Sequence, residues 1–184
     1  MTVKELKEAV AHNMDEEQIE EESYFYTAIN SAVAEILARF PIVKSITYTP
    51  EYSESYTSVI MAELTDDYAT FSNPVFEGTE LYSPNGRPIV DGRLGTVTFP
   101  PYVEGRITIF YNAKIDRINR DTVDVPFNGD RLELLILGTA YRLLATDDSA
   151  EAAKSVRERY ETLAAYLKER DYGRDIQITD VYGW

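Results

Sequence analysis

The sequence predicts an α+β protein: an antiparallel helical bundle of two N-terminal and two C-terminal helices, an inserted antiparallel β-sheet or small sandwich, and an extended C-terminal arm. Apolar residues recur at helical spacing near both ends, alternate with polar residues in the middle third, and alternate again after the last helical stretch. The 184 residues are 44% apolar and 27% charged, a composition typical of an ordered globular chain. We therefore assign 1–41 and 127–171 to the bundle, 42–126 to the β-subdomain and 172–184 to the arm.

Two helices are predicted before the β-subdomain. The first covers residues 2–12, where Thr2 and Glu5 form a capping pair. The second begins near residue 15 and runs to residue 40, where Pro41 stops it. Apolar residues at spacings of three and four give it one buried face, consisting of Tyr26, Ile29, Val33, Ile36, Leu37 and Phe40.

The middle third has the alternation of β-strands. The alternating apolar residues are Ile46 and Tyr48, Val59 and Met61, Val97 and Phe99, and Ile107, Ile109 and Tyr111. The intervening turn signals are Asn73-Pro74, Pro84-Asn85-Gly86, Asp91-Gly92, Pro100-Pro101 and Glu104-Gly105. Their spacing predicts short antiparallel strands within residues 42–126.

The C-terminal helices differ in how much of their surface is apolar. The first, over residues 132–144, is apolar nearly all round and must be covered on several sides, by other helices of its own chain or by a neighbouring subunit. Oligomerisation is therefore a reasonable expectation. The second helix spans about 150–170, and its apolar face consists of Val156, Tyr160, Leu163 and Leu167.

After the last helix, Ile176, Ile178 and Tyr182 precede a terminal Trp184. An extended apolar tail with a large aromatic end suits an arm that adds a strand to another chain or fills a pocket in it. The alternative is an arm that folds back on its own β-region.

No catalytic, cofactor-binding or metal-binding residue is predicted. The chain has no cysteine, its single histidine His12 lies near a helix end, and its glycines form no phosphate loop. Carboxylates are so abundant that no pair among them indicates acid-base chemistry. No apolar run is long enough to span a bilayer and no signal peptide is visible, so we expect no membrane partner.

The net charge of −14 argues against binding of a phosphate backbone. Such a surface can line a conduit through which DNA passes without sticking, or it can serve solubility alone. The 14 tyrosines suit protein interfaces. If their rings are exposed on one face beside polar groups, they also suit a sugar-binding platform.

The runs 95–101 and 104–113, followed by Val125-Pro126 before an apolar helix, resemble the head-tail adaptor (connector, or neck) proteins of tailed phages. Members of that family have a helical bundle interrupted by a β-rich insertion, and their C-terminal helical pair is similar to the one predicted here. The resemblance implies a homo-oligomeric, dodecameric ring that joins the portal protein to a tail or neck protein. DNA would pass through this ring without specific binding.

By the same resemblance, we expect a virion protein of the head-tail interface, assembled in the host cytoplasm, without catalysis or cofactor. It places Ile176, Ile178, Tyr182 and Trp184 in the contact with the portal or a neighbouring subunit. The alternative is a β-rich decoration module of a virion or cell surface that binds carbohydrate or protein. A hydrolase would need two acids at a defined separation, and no spacing singles out such a pair.

Overall fold

The computed structural model describes residues 1–15, 19, 22–77, 81–146 and 149–179. Its described part is α+β, with five helices and two three-stranded antiparallel sheets, which confirms the predicted fold class. The chain divides into a helical unit, Met1–Phe40 with Asp116–Trp184, and a β unit, Pro41–Ile115.

The elements follow one another as helices, strands and helices. The helices are α1 (Val3–Asn13), α2 (Glu22–Arg39), the single turn α3 (Met61–Leu64), α4 (Gly129–Thr146) and α5 (Ala150–Thr179). The strands are β1 (Val43–Tyr48), β2 (Thr57–Ile60), β3 (Tyr68–Glu77), β4 (Ile89–Asp91), β5 (Thr96–Phe99) and β6 (Ile107–Ala113).

Helix α1 begins with the capping box that the sequence predicts. The backbone N–H of Glu5 donates to Thr2 Oγ1 at 3.3 Å, and the backbone N–H of Thr2 donates to Glu5 Oε2 at 2.8 Å. Two otherwise unpaired backbone donors are thereby satisfied. Val3, Leu6 and Val10 are fully buried, so α1 owes its stability to packing as well as to its cap.

Helix α2 does not begin near residue 15 as predicted. Asp15 has a φ of 58°, in the left-handed region that interrupts a right-handed helix, and Asp tolerates this region better than most residues. The helix is described from Glu22 and ends at Arg39, before Pro41. Residues 16 and 17 lie outside the described residues.

Helix α4 is the central helix of its unit. It packs against α1, α2 and α5, and its buried residues include Leu134, Leu135 and Ala140. Gly138 lets the neighbours come close, because a Cβ there would lie 3.3 Å from both the Ala32 Cβ and the Tyr160 ring. The nearly all-apolar surface is thus covered by the same chain, and α4 itself gives no reason to expect a neighbouring subunit.

The segment 116–126 belongs to the helical unit, whereas the sequence had placed it with the β-subdomain. Its backbone bonds to the start of the chain: the N–H of Val3 donates to the Val123 carbonyl at 3.0 Å, and the N–H of Val125 donates to the Met1 carbonyl at 2.9 Å. These contacts are far apart in sequence, so no local pattern could reveal them.

Asn30 of α2 holds the same segment from the other side. Its side chain donates to the Ile118 carbonyl at 2.8 Å and accepts from the Ile118 N–H at 2.9 Å. Ile118 is only 2% exposed, so these backbone groups have little access to water. Asn30 therefore acts as a clamp on an otherwise irregular segment.

Replacing Asn30 by alanine should lower the free energy of unfolding by about 2 kcal/mol, because it leaves two poorly hydrated backbone groups of Ile118 unpaired. Urea denaturation followed by circular dichroism measures the change. Asn119→Ala, at an exposed neighbouring position, is the matched control and should change stability by less than about 0.5 kcal/mol. Equal effects of the two variants would contradict the clamp.

In the β unit, one sheet has the order β1-β6-β3 and the other β2-β5-β4. Both sheets contribute to one core, which includes Val97 and Phe99 from one sheet and Ile107 and Ile109 from the other. The insertion begins and ends at neighbouring strands. Val43 pairs with Asn112, and the Ala113 N–H donates to the Ile42 carbonyl at 2.8 Å.

One predicted turn in this unit is wrong. Asn73-Pro74 lies inside β3, at a register shift between Phe71 and Phe76. Strand β3 is at the edge of its sheet, where a proline can stand because no ladder hydrogen bond is required of it. The predicted turn at Asp91 is found: its Oδ1 accepts from the N–H groups of the two residues at 93 and 94, at 2.9 and 3.0 Å.

The C-terminal arm also differs from the prediction. Helix α5 continues to Thr179, so residues 172–179 are helical and not extended. Gly173 does not end this helix, because one glycine inside a helix costs only about 1 kcal/mol. The remainder of the predicted arm, residues 180–184, lies outside the described residues.

Candidate interaction surface

Three loops of the β unit meet through backbone hydrogen bonds. They are residues 49–56 after β1, 81–88 before β4, and 100–106 before β6. The N–H of Tyr102 donates to the Ser53 carbonyl at 2.7 Å. Tyr82 and Glu104 exchange two N–H to carbonyl bonds, each 2.9 Å long.

Side chains reinforce the junction. Ser83 Oγ and Asn85 Nδ2 both donate to the Pro101 carbonyl, at 3.1 and 3.3 Å. The N–H of Asn85 in turn donates to Ser83 Oγ at 3.1 Å. The loop 81–88 is thereby tied to the loop 100–106 at several points, which gives the three loops a defined relative geometry.

These loops expose aromatic rings. Tyr52 is 63% exposed, Tyr82 is 70% exposed and Tyr102 is 39% exposed. The rings of Tyr52 and Tyr102 lie 5.9 Å apart, centroid to centroid, and are tilted by 58°. We call Tyr52, Tyr82 and Tyr102 together the tyrosine loop cluster. Exposed, grouped aromatic rings of this kind are typical of surfaces that bind another molecule.

Tyr102 is held in an unfavourable backbone conformation. Its φ of 57° lies in the left-handed region, which costs a non-glycine residue on the order of 1–2 kcal/mol. The N–H bond to Ser53 fixes that conformation. Strain of this kind is found disproportionately at binding sites, because there the placement of one side chain outweighs its local cost.

The same three loops carry exposed charges. Glu51, Glu54 and Glu104 are acidic, and Arg87 and Arg106 are basic. The three loops therefore carry both carboxylates and guanidinium groups in addition to the aromatic rings. Ring stacking, cation–π contact and charge-assisted hydrogen bonding are all open to a partner here.

The predicted contact residues lie elsewhere in the chain. Ile176 and Ile178 belong to α5, and Tyr182 and Trp184 lie outside the described residues. The tyrosine loop cluster is a different set of residues, which the sequence pattern had not singled out. The available signal was that tyrosines follow or precede turn residues in three of the five strand connections.

A second polar cluster of the β unit surrounds Asp67. Its Oδ1 accepts from Thr65 Oγ1 at 2.6 Å and from the Tyr111 hydroxyl at 2.9 Å, and its carboxylate pairs with Lys44. The hydrogen bond from Lys44, followed by those from the two hydroxyls, holds the pKa of Asp67 well below its usual range. Every partner stabilises the ionised carboxylate, so the cluster fastens β1 and β6 to the start of β3.

A charged network joins α2, α4 and α5 in the helical unit. Glu35 accepts from Arg142 and, at 3.1 Å, from the Tyr141 hydroxyl, and it pairs with Arg39 at 2.8 Å. Arg39 also makes a two-pronged contact with Glu161, at 2.8 and 3.1 Å. Burial opposes ionisation of Glu35, but the bonds from Arg142 and Tyr141 and the nearby arginine charges leave its pKa lowered.

Other classes of site are not found in the described part of the chain. Among those residues, no three histidine, cysteine, aspartate or glutamate side chains are grouped so that they could hold a metal ion. None of the described helices is both long and apolar enough to cross a membrane. His12 lies in the last turn of α1, where a helix dipole favours a basic side chain.

Comparisons with known proteins identify no relative: no protein-family model matches the chain, and no curated protein matches it. A functional proposal therefore depends on the architecture, on the surfaces described above and on the resemblance of the quoted segments.

Proposed function

We propose that the protein is a head-tail adaptor subunit of a tailed phage, which forms an oligomeric ring between the portal and the tail or neck. The observation that carries this proposal is the position of the β unit. Residues 41–115 form a compact unit inserted between helices that pack together as another. This is the arrangement that the resemblance to the adaptor family implies. The ring would leave a channel for DNA.

Two further observations support an assembly role. The exposed tyrosines lie on loops with defined hydrogen bonds, where a partner can bind without reorganising the core. The net charge of −14 suits a channel wall that repels DNA.

Native mass spectrometry and negative-stain imaging, with the protein alone and mixed with the portal, test the proposal. We expect a ring of about twelve subunits, formed either alone or on the portal. A chain that stays monomeric and ignores the portal at every concentration would contradict it.

Deleting residues 173–184 should leave the helical unit folded but weaken attachment to the portal. The last buried side chain described on α5 is Leu167, which precedes the deletion. Circular dichroism should show the helices retained, and co-sedimentation with the portal should show the loss. Unfolding of the truncated chain, or undiminished attachment, would contradict the proposed contact through Ile176, Ile178, Tyr182 and Trp184.

The exposure of the tyrosine loop cluster also favours a second candidate, a decoration module that binds carbohydrate or protein. Ser83, Asn85 and Glu104 carry polar groups on the same loops as the rings, and a sugar site requires both kinds of group. Titration calorimetry with oligosaccharides distinguishes the two functions. A saccharide that binds the monomer and loses affinity on Tyr52→Ala would favour the module.

A further inference from the structure

We infer that neighbouring copies associate head to tail, with the tyrosine loop cluster of one copy bound to the basic segment 114–120 of the next. This inference rests on the proposed ring and names the two surfaces that would close it. The exposed tyrosines would then bind a segment that every subunit of a homo-oligomer carries.

The segment 114–120 is an exception in an acidic chain. It carries three exposed cations, Lys114, Arg117 and Arg120, with Asp116 as its one acidic residue. None of the three forms an ion pair with a residue that the structure describes. In a protein with 32 acidic and 18 basic side chains, three unpaired cations within seven residues are available to a partner.

The basic segment is also held in place before any partner arrives. The backbone of Ile118 is clamped by Asn30, and the N–H of Lys114 donates to the Asp67 carbonyl at 2.8 Å. Arg117 and Asn119 flank the clamped residue. Because the backbone is already ordered, binding costs mainly the freedom of the arginine and lysine side chains.

The tyrosine loop cluster is chemically complementary to this segment. Guanidinium groups stack on tyrosine faces, and tyrosine and arginine are the residues most enriched in the centres of interfaces. The chain already uses this contact internally, with Arg142 4.6 Å from the centroid of the Tyr141 ring. Around the rings, Glu51 and Glu54 lie on a loop that carries no cation.

The cluster is not uniformly acidic, because Arg87 and Arg106 lie on the other two loops. The aromatic faces and the carboxylates of loop 49–56 are therefore the expected contact for incoming arginines. Removing the tyrosine side chains and removing the positive charges should therefore weaken the association of subunits to a similar extent.

Lys114 and the tyrosine loop cluster lie at opposite ends of strand β6. Loop 100–106 leads into Ile107 at its start, and Lys114 follows Ala113 at its end. Seven residues at about 3.3 Å each separate these ends by roughly 20 Å, too far for Lys114 to contact the cluster of its own chain. A contact between unlike surfaces is heterologous, and when repeated it gives a ring if the rotation closes and a filament if it does not.

The absence of cysteine from the chain permits a direct test by cross-linking. Ser55→Cys and Asn119→Cys, both at exposed positions, put one thiol beside each surface. The double variant, treated with a short bismaleimide in the presence of the portal, should give a ladder of covalent oligomers. A Ser55→Cys, Lys154→Cys variant is the control, since Lys154 is exposed on α5, and it should give none.

Charge reversal completes the design. The double variant Arg117→Glu, Arg120→Glu should lower the yield of cross-linked oligomers about tenfold or more. The double variant Tyr52→Ala, Tyr102→Ala should lower it to a similar extent. Lys154→Glu with Arg159→Glu makes the same change in charge on the exposed face of α5 and should leave the ladder intact. A mixture of the arginine and tyrosine variants, each with one intact surface, should recover a cross-linked dimer and no longer product.

The outcomes separate this inference from the proposed function. Rings on the portal without a cross-linked ladder, or a ladder unaffected by both pairs of substitutions, overturn the head-to-tail contact and leave the adaptor role standing. A chain that neither assembles nor cross-links overturns both. A ladder that responds only to the targeted substitutions supports the inference.

Discussion

Replacing Tyr160 by alanine should lower the free energy of unfolding of the helical unit by about 3–5 kcal/mol. The side chain of Tyr160 is fully buried, packs edge-on against Tyr141 at 5.7 Å and lies beside Gly138. Its removal leaves a cavity among α2, α4 and α5 that these helices can close only in part. Urea denaturation followed at 222 nm measures the loss.

Tyr166→Ala on the same helix is the matched control, since that ring is 57% exposed, and its effect should stay within about 0.5 kcal/mol. Tyr160→Phe makes the test sharper. The Tyr160 hydroxyl is buried without a hydrogen-bond partner among the described residues, and burial together with the Glu35 charge raises its pKa. Removing that hydroxyl should leave stability unchanged or slightly higher. A large loss for phenylalanine would show that the hydroxyl is paired.

Replacing Glu35 by alanine should lower the free energy of unfolding by about 2–3 kcal/mol at pH 7. The substitution takes away the acceptor of Arg142 and Tyr141 and one of the two carboxylate partners of Arg39, all partly shielded from water. Glu158→Ala is the control, because the Glu158 carboxylate makes an exposed 4.0 Å contact with Lys154. Equal losses for the two variants would contradict a stabilising role of the network.

The contribution of Glu35 to stability should decrease as the pH falls. Its pKa is lowered in the folded protein, so its ionised form contributes stability that is fully present above the unfolded value of about 4.3 and is lost as pH falls through the folded value. Glu161, whose pKa is lowered chiefly by the hydrogen bond from Arg39, changes in the same sense. The difference between wild type and Glu35→Ala should therefore shrink between about pH 5 and pH 2. Denaturation curves at several pH values measure it.

The sequence predicted the helices well where the signals act between neighbouring residues. The capping box at Thr2 and Glu5, the stop at Pro41 and the apolar spacing of α5 all act within a few residues. The wrong predictions concern properties that depend on residues far away in the sequence. Whether Pro74 breaks a strand depends on whether that strand is at a sheet edge, and this is a property of the sheet order.

The same limit applies to the candidate surface. Tyrosines 52, 82 and 102 are 30 and 20 residues apart in sequence, and only the bonds between their loops bring them together. The alternation of Ile176 and Ile178 suggested a strand, yet the chain there continues α5. A short alternating run is compatible with either structure, and neighbouring helical turns decide the outcome.

The adjacency of the two ends of the β unit has an evolutionary consequence. Ile42 and Ala113 lie near the two ends of the β unit and are joined by a backbone hydrogen bond. The insertion therefore starts and ends at nearly the same point in the structure. Recombination at the two corresponding positions in a gene could exchange one insertion for another while the flanking helices keep their sequence. Related subunits could then acquire new partners by swapping a module, without accumulating substitutions in the bundle.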